Sequence, residues 1–206
     1  MVAGKREAEF RENQMNMRTL MAIGLAYTTQ AATVVHTVTI NPTLTDWSAT
    51  NRVPQFDARL GKLKSVQVTV DGATAPQATV VNLDVIPWLI ELRTTNTVSV
   101  AAGGLVAADS EAGVTQLRAT AGSTLVANWS FVLAGAATTN RNLGGWIGTN
   151  TVPVVTRSSA LTWYSGPANY RLDWRTAASA VATVAYTFDG RCEDDDKDSD
   201  KDKDGR

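Results

Sequence analysis

The 206-residue sequence contains one cysteine and one histidine. A lone Cys192 excludes any disulfide within the chain, and a β domain of this size buries enough surface to do without one. A lone His36 leaves no His/Cys cluster for the usual zinc sites. It would have to serve any Ser-His-Asp triad, and no Gly-x-Ser-x-Gly elbow accompanies it. His36 therefore reads as an ordinary strand residue. Charge is sparse as well. Charged residues make up 19% of the chain, and residues 32–190 hold ten Lys/Arg against nine Asp/Glu. Without a basic stripe to neutralise phosphates, the sequence argues against nucleic acid as a partner. Walker and dinucleotide glycine motifs are missing, and so are long Glu/Lys/Leu runs. Thr, Val and Ala dominate instead, which favours strands.

Residues 1–32 have the layout of a secretory signal. Arg18 supplies a positive charge ahead of a short apolar run, Leu20 to Tyr27, that is too short to span a bilayer. Thr29-Gln30-Ala31-Ala32 offers small residues for cleavage after Ala31 or Ala32. The charged segment 1–14 fits poorly in a mature domain. Met15 and Met17 read as true starts, with the upstream residues a gene-model extension. The mature chain is then expected to hold no membrane span.

Residues 33–190 read as one all-β domain, an antiparallel two-sheet sandwich of nine or ten short strands, with jelly-roll and Ig-like topologies both open. Val34, Val38 and Ile40 mark a first strand ending at Asn41-Pro42. Val66, Val68 and Val70 alternate with Ser65, Gln67 and Thr69 in a second. Asp71-Gly72 reads as a hairpin turn, with residues 77–83 returning. Further strands are expected over 88–100, 114–119, 125–133, 151–156, 161–164, 170–175 and 180–188. Gly103-Gly104 is a breaker, and residues 134–149 read as a long loop around Trp146. Trp47 and Phe56 are expected to be packing residues that close one end of the sandwich.

The composition changes at Gly190. Residues 191–206 carry five basic and eight acidic residues and, apart from Cys192, nothing apolar to bury. Such a segment is expected to be disordered. Asp200, Asp202 and Asp204 with Gly205 match the first half of a calcium loop, in which three carboxylates surround one hard cation. The bidentate acid expected at position twelve is absent, so calcium is a possible cofactor of weak affinity and a solvated spacer is the plainer reading.

Candidate chemistry elsewhere rests on aromatics and carboxylates. Trp88, Trp129 and Trp174 fall in strands and read as core. Trp146, in the loop, and Trp163-Tyr164, before the Ser165-Gly166-Pro167 turn, read as exposed and able to stack on a carbohydrate ring. Asp46, Asp57, Asp84, Glu91, Asp109, Glu111 and Asp173 are the carboxylates from which a glycosidase pair would be drawn. Most flank turns, where Asp bonds its own backbone. Asn128-Trp129-Ser130 fits a glycosylation sequon but reads as incidental.

Several blocks in order resemble the choice-of-anchor E domain family of bacterial surface proteins. They are Thr45-Asp46-Trp47-Ser48, Val53-Pro54-Gln55-Phe56-Asp57, and Leu60-Gly61-Lys62-Leu63 leading into residues 65–70. Val81-Asn82-Leu83-Asp84 and the end of the domain, from Ala168-Asn169-Tyr170 to Tyr186-Thr187-Phe188, are also similar. The resemblance implies an exported, strand-rich domain held at the cell surface by a C-terminal sorting signal, with no catalytic residues. The tail here carries no Pro-Glu-Pro motif. The expectation is thus a non-catalytic exported protein of the cell surface or extracellular matrix, structural or adhesive, partnered by surface proteins or glycan. The alternatives are a carbohydrate-binding module using Trp146, Trp163 and Tyr164, or a glycoside-active enzyme. Mass spectrometry of the protein recovered outside its host cell is expected to give an N-terminus at Ala32 or Thr33. An uncleaved cytoplasmic product would contradict the export reading.

Overall fold

The computed structural model describes residues 31–166 and 169–190. They form nine strands: β1 (Ala31–Leu44), β2 (Trp47–Pro54), β3 (Gly61–Asn82), β4 (Trp88–Ala102), β5 (Leu105–Ala119), β6 (Thr124–Asn128), β7 (Phe131–Thr139), β8 (Thr151–Ser165) and β9 (Tyr170–Gly190). One sheet runs β1-β9-β3-β6, with β7 also on the outer side of β3. The other runs β2-β8-β4-β5. All strand pairs are antiparallel. If β6 and β7 are counted as one interrupted position, each sheet has four positions. The chain alternates between sheets in the order of a jelly roll, not of an Ig domain.

Alternation within the strands builds the core. Val66, Val68 and Val70 of β3 are fully buried, as expected, and face Val98 and Val100 of β4. Several expected breaks are absent. Asp71-Gly72 is no hairpin, and β3 runs straight through it, pairing Gly72 with Ala180 and Leu133. Gly72 is there for close approach. A Cβ on it would lie 2.9 Å from the Val98 side chain. Likewise β8 and β9 are each continuous, and the expected loop after Ala134 is β7 followed by a short 3-10 turn at Leu143–Trp146. Residues 125–133, expected as one strand, break between β6 and β7. Asn41-Pro42 falls at a register shift inside β1 instead of ending it.

Two apolar clusters fill the interior. The larger includes Val53, Phe56, Val66, Val68, Val184 and Tyr186. The smaller holds Ala78, Val80, Ile90, Leu92 and Ala127, with Trp129, Leu172 and Trp174 packed on it. Trp47 and Phe56 both pack inward, but at opposite ends of β2, so they do not close one end together. Phe56 lies against Tyr186 and Phe188, with ring centres 6.0 and 5.0 Å away. The ion pairs among the described residues are partly or largely exposed. Water screens such exposed pairs, so they contribute little to stability. A single buried Phe truncated to Ala costs about 3–5 kcal/mol, so burial, not charge, holds the sandwich.

Tyr186 joins this core to the backbone. Its hydroxyl donates to the Pro54 carbonyl at 3.0 Å, and burial pushes its pKa up to about 12. The folded value lies above the unfolded one near 10. Its contribution is therefore complete below about pH 10 and is lost as pH rises toward about 12. Tyr186→Phe is expected to cost about 1 kcal/mol near neutrality and to flatten the alkaline decline seen in denaturant melts. Tyr170, raised to about 12 by burial and then by hydrogen bonding with Tyr164, should keep part of that slope.

Candidate binding surfaces

The three aromatic residues expected to form a sugar platform do not come together. Trp146 is a correction. It is only 2% exposed and belongs to the larger core cluster. The Gly103-Gly104 turn between β4 and β5 makes room for it. Gly103 adopts a φ of 53°, and a Cβ there would lie 2.3 Å from the Trp146 ring. The Phe56 N–H donates to the Trp146 carbonyl at 2.8 Å, and the Trp146 ring meets Tyr186 edge-on at 6.1 Å. A Gly/Asn/Thr-rich segment reads as exposed loop, but its small residues let the backbone fold an aromatic inward.

Trp163 and Tyr164 are each half exposed but point to opposite faces of β8. Trp163 lies on the outer face of its sheet, with the Arg93 guanidinium 5.2 Å from its ring centre. Arg93 pairs with Glu91 at 2.6 Å, and Gln116 donates to the other Glu91 oxygen at 3.0 Å. Hydrogen bonding from Gln116, then from Arg93, lowers the Glu91 pKa. Tyr164 turns inward and meets Tyr170 edge-on at 5.5 Å.

The same end of the sandwich carries apolar loop residues that the sequence reading passed over. Leu83, Val85 and Ile86 between β3 and β4 are exposed, Val85 by 86%, and Leu89 at the start of β4 is exposed as well. This loop is tied to the β8–β9 connection, since the Leu83 N–H donates to the Asn169 carbonyl at 3.1 Å. Beneath it, the Asn82 side chain donates to the carbonyls of Ile86 and Thr120.

Most of the candidate carboxylates have structural partners. Asp46 accepts from the Ala160 N–H, Asp57 caps the 3-10 turn through the Arg59 N–H, and Asp84 accepts from the Val85 N–H. Asp109 accepts from Ala134 N–H, tying β5 to β7 across the sheets. Asp173 pairs with Arg175. Glu111 is exposed. His36 is half buried against Tyr186, and Asn128 of the sequon accepts from Gln77. Cys192 and the proposed calcium ligands Asp200, Asp202 and Asp204 lie outside the described residues, as do residues 1–30. No helix among the described residues is long and apolar enough to cross a membrane.

A polar layer separates the two apolar clusters. Thr74, Thr94, Asn96, Thr156, Ser158 and Thr176 point inward and are at most 5% exposed. The hydroxyls of Thr74, Thr156, Ser158 and Thr176 and the Asn96 carbonyl oxygen have no protein partner. Left dry, five such groups would cost about 5–15 kcal/mol, as much as the whole stability of a domain. The layer is therefore the costliest part of the interior to bury. The signal was present in the sequence. Inward positions of β4 read Ile90, Leu92, Thr94, Asn96, Val98, Val100, and the alternation keeps its period while its chemistry switches. Beside this layer, at the corner between β1 and β2, lies a crevice of about 250 Å3 lined by Asp46, Thr162, Trp174, Arg175 and Thr176 among others.

No family model and no curated protein matches the sequence. Among solved structures, a chain of the T13 IBDV viral particle is 12% identical, with a TM-score of 0.20, over 79% of this chain and 44% of that one. A chain of the infectious bursal disease virus Gx strain is 14% identical, with a TM-score of 0.16, over 79% and 45%. The chain spans less than half the length of either. Likenesses this faint carry no argument.

The packing of Trp146 on the glycine turn is directly testable. Gly103→Ala is expected to cost about 2–4 kcal/mol, from left-handed backbone strain plus overpacking. Gly104→Ala, with φ 88° and nothing within 4 Å of its Cβ, should incur only the backbone part, about 1–2 kcal/mol. Equal losses in urea melts would mean that Trp146 does not pack there.

Proposed function

We propose that the protein is a non-catalytic, exported β-sandwich of the cell surface or extracellular matrix, with a structural or adhesive role. The observation that carries this reading is the concentration of exposed apolar side chains at one end, where Leu83, Val85, Ile86 and Leu89 lie in one short stretch of chain. Contiguous apolar surface on a soluble domain marks an interaction site. Scattered exposed valines elsewhere do not need that explanation. The signal-like leader and the resemblance to anchored surface domains support the same reading.

A second reading is glycan recognition. It is favoured by Trp163, half exposed beside the Glu91–Arg93–Gln116 network. An aromatic ring flanked by hydrogen-bonding groups of both polarities suits a sugar. Tyr164 faces away from this network and would serve a different surface.

The adhesive reading is tested by adding the purified protein back to host cells that lack it. Val85→Ser with Ile86→Ser is expected to reduce retention at the cell surface about tenfold or more, as loss of apolar anchors at an interface does. Melting should change by less than about 0.5 kcal/mol, because both side chains are exposed. Unchanged retention would remove this end of the sandwich from the adhesive surface.

A further inference from the structure

We propose that the free edge of β1 pairs with the same edge of a second copy of this chain, giving an antiparallel dimer whose two-fold axis passes through His36. Among the described residues, β1 pairs only with β9 and is the end strand of its sheet. Such an edge presents unpaired N–H and C=O groups to any strand that approaches, and proteins normally block it with charge, proline or a covering segment. The other edges are blocked in that way. β2 carries Arg52 and Pro54. β5 carries Asp109, Glu111 and Arg118, and the Asp109 carboxylate takes the Ala134 N–H of β7. β1 has no Lys, Arg, Asp or Glu from Ala31 to Leu44 and no proline before Pro42. The core is also unfinished along this edge. Ala32, Val34 and Val38 pack on the larger cluster but are only partly buried, whereas Ala182, Val184 and Tyr186 beside them on β9 are buried. A strand added to β1 would take that apolar surface out of water, which favours association.

The sequence of the edge says what covers it. Thr33-Val34-Val35-His36-Thr37-Val38-Thr39 reads nearly the same in both directions about His36. Antiparallel pairing centred there sets Thr33 opposite Thr39, Val34 opposite Val38 and Val35 opposite Thr37 across the axis. By symmetry each of these pairs occurs twice. They are pairs of β-branched side chains, which stabilise a sheet. An axis through a residue also keeps the two cores on one side, because inward positions then face inward positions. An axis between residues would set the inward face of one copy against the outward face of the other. With no fixed charge, the edge neither repels its own copy nor recruits a strand of opposite charge. The inference does not rest on the adhesive or the glycan reading.

Sedimentation equilibrium of the full chain over a concentration series is expected to show a monomer–dimer equilibrium. Val35→Lys with Thr37→Lys places like charges opposite each other twice across the axis, and should raise the dissociation constant about tenfold or more. Val35→Lys with Thr37→Glu places Lys opposite Glu at the same two points, and should keep the constant within about threefold of the unaltered chain. Both side chains are exposed on the outer face of the sheet, so circular dichroism should show both variants folded. A chain that stays monomeric throughout would overturn the proposal. A dimer weakened by neither variant would overturn the β1 edge as the interface, and one weakened equally by both would overturn the pairing about His36.

Discussion

The pairing of β3 with β9 is the constraint on which the other elements depend. The ladder runs from Gly61 opposite Gly190 to Asn82 opposite Tyr170, with one register shift between Leu63 and Ser65. β1 adds to the free side of β9, and β7 and β6 add in succession to the free side of β3. Every inward residue of the first sheet takes its height from this ladder. A slip by one residue would turn Val66, Val68 and Val70 out to solvent and bring Gln67 and Thr69 into the core. The length of the ladder also explains why one sandwich can hold two apolar clusters in series.

Between those clusters the interior changes character. Thr74 and Thr176 on one sheet face the level of Thr94, Asn96 and Ser158 on the other. β1 and β2 meet near that height, since Leu44 pairs with Ala177 and Trp47 with Ser158. Beyond it the sandwich continues with β3, β6 and β9 over β4, β5 and β8. The crevice lies at the step where the two edge strands stop. The exposed apolar loop lies at the far end of the narrower half. The apolar loop thus belongs to the half of the molecule that β1 and β2 leave uncovered.

Much of the fold was legible in the sequence. Strict alternation in residues 65–70 and 180–188 gave the strands and their buried faces, because one side of each sheet is packed and the other is wet. Gly72 and Asn41-Pro42 misled a local reading. Glycine between strands and glycine under a neighbouring side chain look alike until the partner is known, and Val98 is far from Gly72 in sequence. The candidate sites were less legible. Trp163 and Tyr164 stand half exposed as their place before a turn suggested. Trp146 is buried because a turn more than forty positions earlier makes space for it. The polar layer and its crevice join residues from several strands, and no contiguous stretch of sequence holds them together.

If the β3–β9 ladder binds both halves into one body, the polar layer weakens the interior without dividing it. Native-state hydrogen exchange measures this most directly. Amides in the β3 and β9 segments of the narrower half, around Val80 and Leu172, are expected to open with the same free energy as those around Val68 and Val184. Exchange of the narrower half at a distinctly lower free energy, with the wider half still protected, would contradict the account.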